Sequence, residues 1–153
     1  MKAWITALGL VLSITSAGRA AAESPLQGDR VSPMAVSLDV VHTVGTDAGG
    51  VPDSLKKYGK YLRRAGSENW KLTSRKSQQL KPGAEKLVTL PGKLGKARIS
   101  LDARGVATVK IVDMKGKSLG TYRSSRFPLV IANNRLRIDG KPYVFILDRP
   151  IKK

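Results

Sequence analysis

Apolar positions along this chain follow two different periods. From Trp70 onward they recur at every second residue in short runs: "WKLTSRK", "EKLVTLP", "KARISLD", "VATVKIVDM", "SLGTYRS", "LVIAN", "RLRID" and "YVFILD". These runs succeed one another at intervals of about ten residues, the spacing of a sandwich or barrel. In "KARISLD" the apolar side is Ala97, Ile99 and Leu101, while Arg98 and Ser100 face water, so each sheet is expected to bury one face. The separators "KPGA", "LPGK", "DARG", "MKGK", "ANNR" and "IDGK" are turn formers. Asp139-Gly140 is the sharpest of them, because a two-residue primed turn needs positive φ. An earlier run, "MAVSLDVVHTV", places Val36, Leu38 and Val40 on one face and predicts a first strand. The glycine-rich "GTDAGGVPD" that follows sustains neither period.

One segment has the longer period. At about 100° per residue, Leu55, Tyr58, Tyr61 and Leu62 fall within an arc of about 120°, and Lys56, Lys57, Lys60, Arg63 and Arg64 fill an opposite arc of the same width. Asp53 or Ser54 is placed to cap this helix and Gly66 to stop it. The spacing therefore predicts a helix over 54–65 within a single β-rich domain over 35–153. The fold class is mainly β (α+β): an antiparallel sandwich or barrel of about seven to eight strands, with one amphipathic helix near the front.

The N-terminal "MKAWITALGLVLSITSAGRAAAES" changes the picture of where this domain works. Lys2, the apolar stretch Ala3 to Ile14 and the small residues Ala20 to Ala22 have the order of a secretory signal peptide. Residues 1–22 are expected to be removed near Ala22, and residues 23–34 to form a flexible lead-in. The protein is thus expected to be exported, to the periplasm or beyond. The apolar stretch is too short to span a bilayer, which takes about 20 residues, and no later segment is longer. The mature chain is expected to carry no transmembrane segment. It also has no cysteine, which excludes a lipidated cysteine, disulfides, thiol catalysis and thiolate metal sites.

Charge is lopsided. Lys and Arg number 28 against 11 Asp and Glu, for a formal +17; without Lys2 and Arg19 it is 26 against 11. Residues 56 to 98 hold thirteen basic residues against Glu68 and Glu85, whereas residues 23 to 55 are net acidic. Such a field concentrates anions at the surface, most strongly at low salt.

Candidate catalytic groups are few. Ser54 and Lys57 match the S-x-x-K motif of serine β-lactamases and penicillin-binding proteins, but the S-D-N and K-T-G partners are absent; Ser54 is better explained as a cap. His42 is the sole histidine. Asp39, three positions earlier on the same strand, should point to the opposite face. The eleven acids offer no evident pair for glycoside or acid–base chemistry; Asp148 beside Arg149 reads as a surface pair. "GKLGK" at Gly92 lacks the spacing of a phosphate loop. No catalytic residue, metal site or cofactor is expected.

The basic surface is the remaining candidate. Besides the helix residues Lys56, Lys57, Lys60, Arg63 and Arg64, the strand after it presents Lys71, Arg75 and Lys76, with Lys93, Lys96 and Arg98 near the next turns. Side by side, these would form one stripe able to bind a phosphate-bearing polymer by charge neutralisation. Tyr58 and Tyr61 lie on the apolar arc and are expected in the core, where they cannot stack on bases; this counts against nucleic acid.

"WKLTSRKSQQLKPGAEKLVTLPGKLGKARISL" followed by "PLVIANNRLRIDGKPYVFIL" resembles small exported β-domain proteins of Gram-negative bacteria. The resemblance spans roughly residues 53 to 149 and carries no catalytic signature. It implies an envelope location and a non-enzymatic domain. The expected function is binding or scaffolding in the cell envelope, with an anionic polymer or an envelope protein as partner. Two alternatives stand beside it: a small envelope-polymer hydrolase using carboxylates, and a β-domain that self-assembles through "YVFILD" as an exposed edge.

Overall fold

The computed structural model describes residues 34–150; the expected leader and almost all of the lead-in lie outside the described residues. Eight strands follow the predicted periodicity: β1 (Val36–Thr46), β2 (Asn69–Leu80), β3 (Glu85–Leu90), β4 (Gly95–Leu101), β5 (Ala107–Val112), β6 (Ser118–Ser124), β7 (Leu129–Ile138) and β8 (Lys141–Asp148). They form two four-stranded antiparallel sheets, ordered β2-β1-β8-β7 and β3-β4-β5-β6. Each sheet keeps two edges, so the architecture is a sandwich and not a closed barrel.

Inward-facing residues of both sheets make the main core. Leu38 and Val40 of β1, Phe145 and Leu147 of β8, and Ile131 of β7 meet Ala97, Ile99 and Leu101 of β4 and Val109 and Ile111 of β5. The Asp139-Gly140 turn joins β7 to β8 with φ of 51° and 75°, the geometry that Asn-Gly and Asp-Gly pairs supply.

Two expectations about strands are corrected. "LVIAN" and "RLRID" belong to one strand, β7, and "ANNR" is an irregularity in its pairing with β8 between Ala132 and Arg137. Asn133 holds that distortion in place: its side-chain oxygen accepts the Arg135 amide, and its Nδ2 donates to Leu119 O and Tyr122 Oη. The second correction concerns "YVFILD". This segment is no edge, because β8 lies between β1 and β7 and Tyr143 through Asp148 are all buried. Tyr143, Phe145 and Leu147 enter the main core, while Val144 and Ile146 face a second one.

That second core is the site of the helix. Asp53–Tyr58 is a 3-10 helix that continues into α1 (Gly59–Arg64). The expected helix is therefore present, but its first half is more tightly wound. With three residues per turn, Leu55 and Tyr58 stack on one line, and Leu62 extends it. All three are fully buried against Val41, Val144, Ile146 and Trp70, on the outer face of the first sheet. Neither Asp53 nor Ser54 caps the segment: Pro52 occupies the N-cap position without a side-chain bond, and its carbonyl accepts the Leu55 amide. Gly66, at φ 96°, ends the helical stretch just past Ala65, the left-handed stop that glycine permits.

Candidate anion-binding surfaces

The helical segment sorts its side chains largely as its periodicity requires, except that Tyr61, expected in the core, is only half-buried and stands outside it. Lys56, Lys57, Lys60, Arg63 and Arg64 are exposed over the buried Leu55, Tyr58 and Leu62. Their charges are not equivalent. Lys56 pairs at 2.6 Å with Asp53 one turn back, both well exposed; such a pair holds little energy. Lys60 Nζ stands 4.9 Å from the Tyr61 ring centroid. Among the described residues, Lys60, Arg63 and Arg64 make no salt bridge with a carboxylate.

Lys57 is committed elsewhere. Its ammonium lies 2.6 Å from Asp148 Oδ2, and Tyr58 Oη donates to the same oxygen at 2.8 Å. The Arg149 amide donates to Oδ1 at 2.8 Å. Asp148 is thus buried and triply bonded, not a surface partner of the Arg149 side chain. Burial opposes its charge, but the bonds from Lys57, Tyr58 and the Arg149 amide outweigh it and hold the carboxyl below its usual value. For Lys57, burial likewise works against the charge, and the bonds to Asp148 and Tyr58 prevail and raise it. Burial, reinforced by Asp148, pushes the Tyr58 phenol up. The S-x-x-K pairing of Ser54 with Lys57 is not formed.

Asp39 is the register partner of Asp148 across β1 and β8, so two carboxylates that lie far apart in sequence share one face. Asp39 accepts a bond from Ser77 Oγ at 2.5 Å. Asp148 has both oxygens occupied by donors and a lowered pKa, which suits an anchored anion and not a proton donor to a leaving group.

The expected single stripe is broken up. A register shift after His42 places Thr43 opposite Leu72 and His42 opposite Ser74, leaving Thr73 as an extra residue in β2. Trp70 and Leu72 therefore face the helix, as does Arg75, whose Nη2 donates to Ser54 O at 3.1 Å. Lys71, Ser74 and Lys76 point to the other face, toward the second sheet, because they pair with Val44, His42 and Val40. Lys96 and Arg98 lie on the outer face of the second sheet, opposite the inward Ala97 and Ile99. That is the far side of the sandwich from the helix. There Arg98 stands directly across from Lys110, a like-charge pair relieved by Glu85, 3.2 Å from Arg98 Nη1. Lys93 sits in the β3–β4 turn at φ 59°.

Two depressions carry the polar character of the surface. One, of about 230 Å³, is lined by Arg64 at the end of α1, Arg137 of β7, Asn133, Asn134 and the apolar Ala65 and Pro142. No acidic residue lines it. The other, of about 270 Å³, opens between the edges of β2 and β3 and contains His42, Ser74, Lys76 and Gln78. His42 is buried, with Nδ1 2.6 Å from Tyr143 Oη. Burial foremost, and the Lys76 charge beside it, bring the imidazole down to about 4. Burial pushes the Tyr143 phenol far up.

Sequence reasoning found the helix residues but not Arg137, nor the partnerships of His42 with Tyr143 and of Lys57 with Asp148, which join positions 101 and 91 apart. The one signal in the sequence was the unbroken polar run from Thr73 to Gln79, after the alternating Trp70 and Leu72. No protein-family model, no curated protein and no solved structure matches this chain.

Proposed function

We propose that this protein is a non-enzymatic, exported binding module of the cell envelope that holds an anionic polymer against its α1 face. One observation carries the reading. Arg64 from the helix and Arg137 from β7 converge on a depression without acidic residues, and Lys60 and Arg63 on the same helix have no carboxylate partner among the described residues. Guanidinium groups suit carboxylate and phosphate through paired donors, and the neighbouring Asn134 and Pro142 offer an amide and an apolar wall to a sugar ring. The strongly basic net charge supports fast capture of a polyanion.

The test compares the mature protein with a variant in which Lys60, Arg63, Arg64 and Arg137 are all changed to Gln. Lys57 is left intact, since its loss would take one donor from the buried Asp148. Both proteins are titrated against lipopolysaccharide, peptidoglycan and double-stranded DNA at two salt concentrations. Selective binding to an envelope polymer, weakened at least tenfold in the variant and with a flatter salt dependence, is the expected result. Equal, weak binding to all three polymers by both proteins would overturn the proposal.

A further inference from the structure

The sandwich opening between β2 and β3 differs from the rest of the core. Most inward positions of the central strands are apolar, but on β2 three successive inward positions are Ser74, Lys76 and Gln78, paired with His42, Val40 and Leu38 of β1. On the β3 side Val88 faces inward, as the partner of Ala97, and the edge residues Leu87, Thr89 and Pro91 complete the lining. An edge strand closing a sandwich would ordinarily place apolar side chains there. These polar groups line a depression of about 270 Å³.

His42 forms its floor, and its tautomer follows from the partners. Tyr143 is only 1% exposed, and its hydroxyl has a single partner among the described residues, His42 Nδ1 at 2.6 Å. A buried O–H without an acceptor would be costly, so the phenol donates and Nδ1 accepts. The imidazole proton then sits on Nε2. No buried side-chain nitrogen or oxygen among the described residues lacks a partner, and Nε2 has no protein partner among them. It must therefore open into the depression. A residue 95% buried thus aims one N–H at a space bordered by Lys76, Gln78 and Ser74. No carboxylate lines this space, so the fixed His42 N–H and the Lys76 charge favour an anion.

We propose that the depression between β2 and β3 is a second binding site, separate from the α1 face, which takes the oxyanion of a small ligand or end group, a carboxylate or a phosphate, on Lys76 Nζ and His42 Nε2–H. Tyr143 is the positioning residue that fixes the imidazole with its N–H outward, and Gln78 and Ser74 supply further hydrogen bonds to a hydroxylated ligand.

The single histidine makes the test direct, because the imidazole signals of an untagged protein belong to His42 alone. Its ring ¹⁵N and ¹H resonances are followed at neutral pH and constant ionic strength while sodium phosphate, sodium acetate or sodium chloride is added. A saturable shift of Nε2–H with phosphate or acetate but not chloride is expected, and the anion giving the tighter curve identifies the class. Lys76→Gln, at an exposed position, should weaken that curve at least tenfold, whereas the four-site α1-face variant should leave it unchanged. Tyr143→Phe should move the resting imidazole away from the single Nε2–H tautomer. No saturable shift up to about 50 mM of either oxyanion, or an undiminished one in Lys76→Gln, would overturn the proposal.

Discussion

Lys57 Nζ lies 2.6 Å from Asp148 Oδ2, and this contact fastens the helical segment to the last strand of the sheet beneath it. The Asp148 side chain is only 11% exposed, and its remaining donors, Tyr58 Oη and the Arg149 amide, stay in place if Lys57 is lost. Lys57→Gln should therefore destabilise by about 1–3 kcal/mol, as expected when a mostly buried charge loses one partner. The half-open Lys57 head group places the effect toward the lower end, because solvent screens its share. Tyr58→Phe should add a similar loss, and the double variant should be non-additive, since both donors act on one oxygen. Urea unfolding of the four proteins gives the coupling directly; strict additivity would mean that the two bonds act independently.

The acid response should have two steps in separate windows. The folded-state value for His42 is about 4, against about 6.5 unperturbed. Between those pH values the unfolded chain binds a proton that the folded chain refuses, so stability falls as pH drops from about 6.5 to 4 and levels off below. The span corresponds to about 3 kcal/mol. Lys76 and the Tyr143 hydroxyl are the groups facing the ring. Asp148 is lowered instead, so its contribution is full above about 4 and is lost only as pH falls further, through its depressed value. Chemical unfolding from pH 7.5 to 3 should show the first decline centred near pH 5; a flat profile down to pH 4 would contradict the assignment.

Much of the fold is legible because its strands obey local rules. Ala97, Ile99 and Leu101 alternate inward as their spacing demands, and Asp139-Gly140 makes its turn from two residues alone. The helix face was readable too, since positions 55, 58 and 62 align whether the first turn is α or 3-10. Thr73 shows where local rules stop. One extra residue in β2 leaves the alternation looking intact, yet it sends Arg75 toward the helix and Lys71 toward the other sheet. Nothing in "WKLTSRK" announces that shift, because the partner strand β1 imposes it. "ANNR" fails similarly: its composition suits a turn, but Asn133 bonds to β6 and the chain runs on. The single basic stripe was lost for a larger reason. Sheet order decides which outer face a strand presents, and periodicity carries no information about sheet order.

Gly95 is the glycine that packing fixes most firmly. Its φ is +123°, and a Cβ there would overlap the Val112 carbonyl oxygen and come within 2.7 Å of Asp113 Cα. Both obstacles are backbone, Val112 at the end of β5 and Asp113 just past it, so no side chain can swing aside. Gly95→Ala should destabilise by more than about 2 kcal/mol. Gly116, at φ +83° with open space within 4 Å of where a methyl would sit, should lose only about 1 kcal/mol from its left-handed conformation. Thermal unfolding of the two variants ranks them, and an equal loss would show that the β4–β5 approach is more yielding than its geometry implies.

Leu62 tests whether the helix is a separable surface or part of the fold. It is fully buried with Leu55 and Tyr58 against Val41, Val144 and Ile146, and truncating such a side chain usually costs about 2–5 kcal/mol. Only six residues of α1 and six of the 3-10 turn stand above the sheet, too few to hold helical structure by themselves. Leu62→Ala should therefore loosen the whole segment from the sheet, and amide exchange should accelerate from Leu55 to Arg64 while β4 and β5 stay protected. Lys60→Ala, two residues earlier on the wet face, should change stability by less than about 0.5 kcal/mol. If polymer binding depends on the α1 face, Leu62→Ala should weaken it as strongly as neutralising the basic residues, with all of the charges still present. Retained affinity in Leu62→Ala would mean that charge alone, without the docked helix to arrange it, is sufficient.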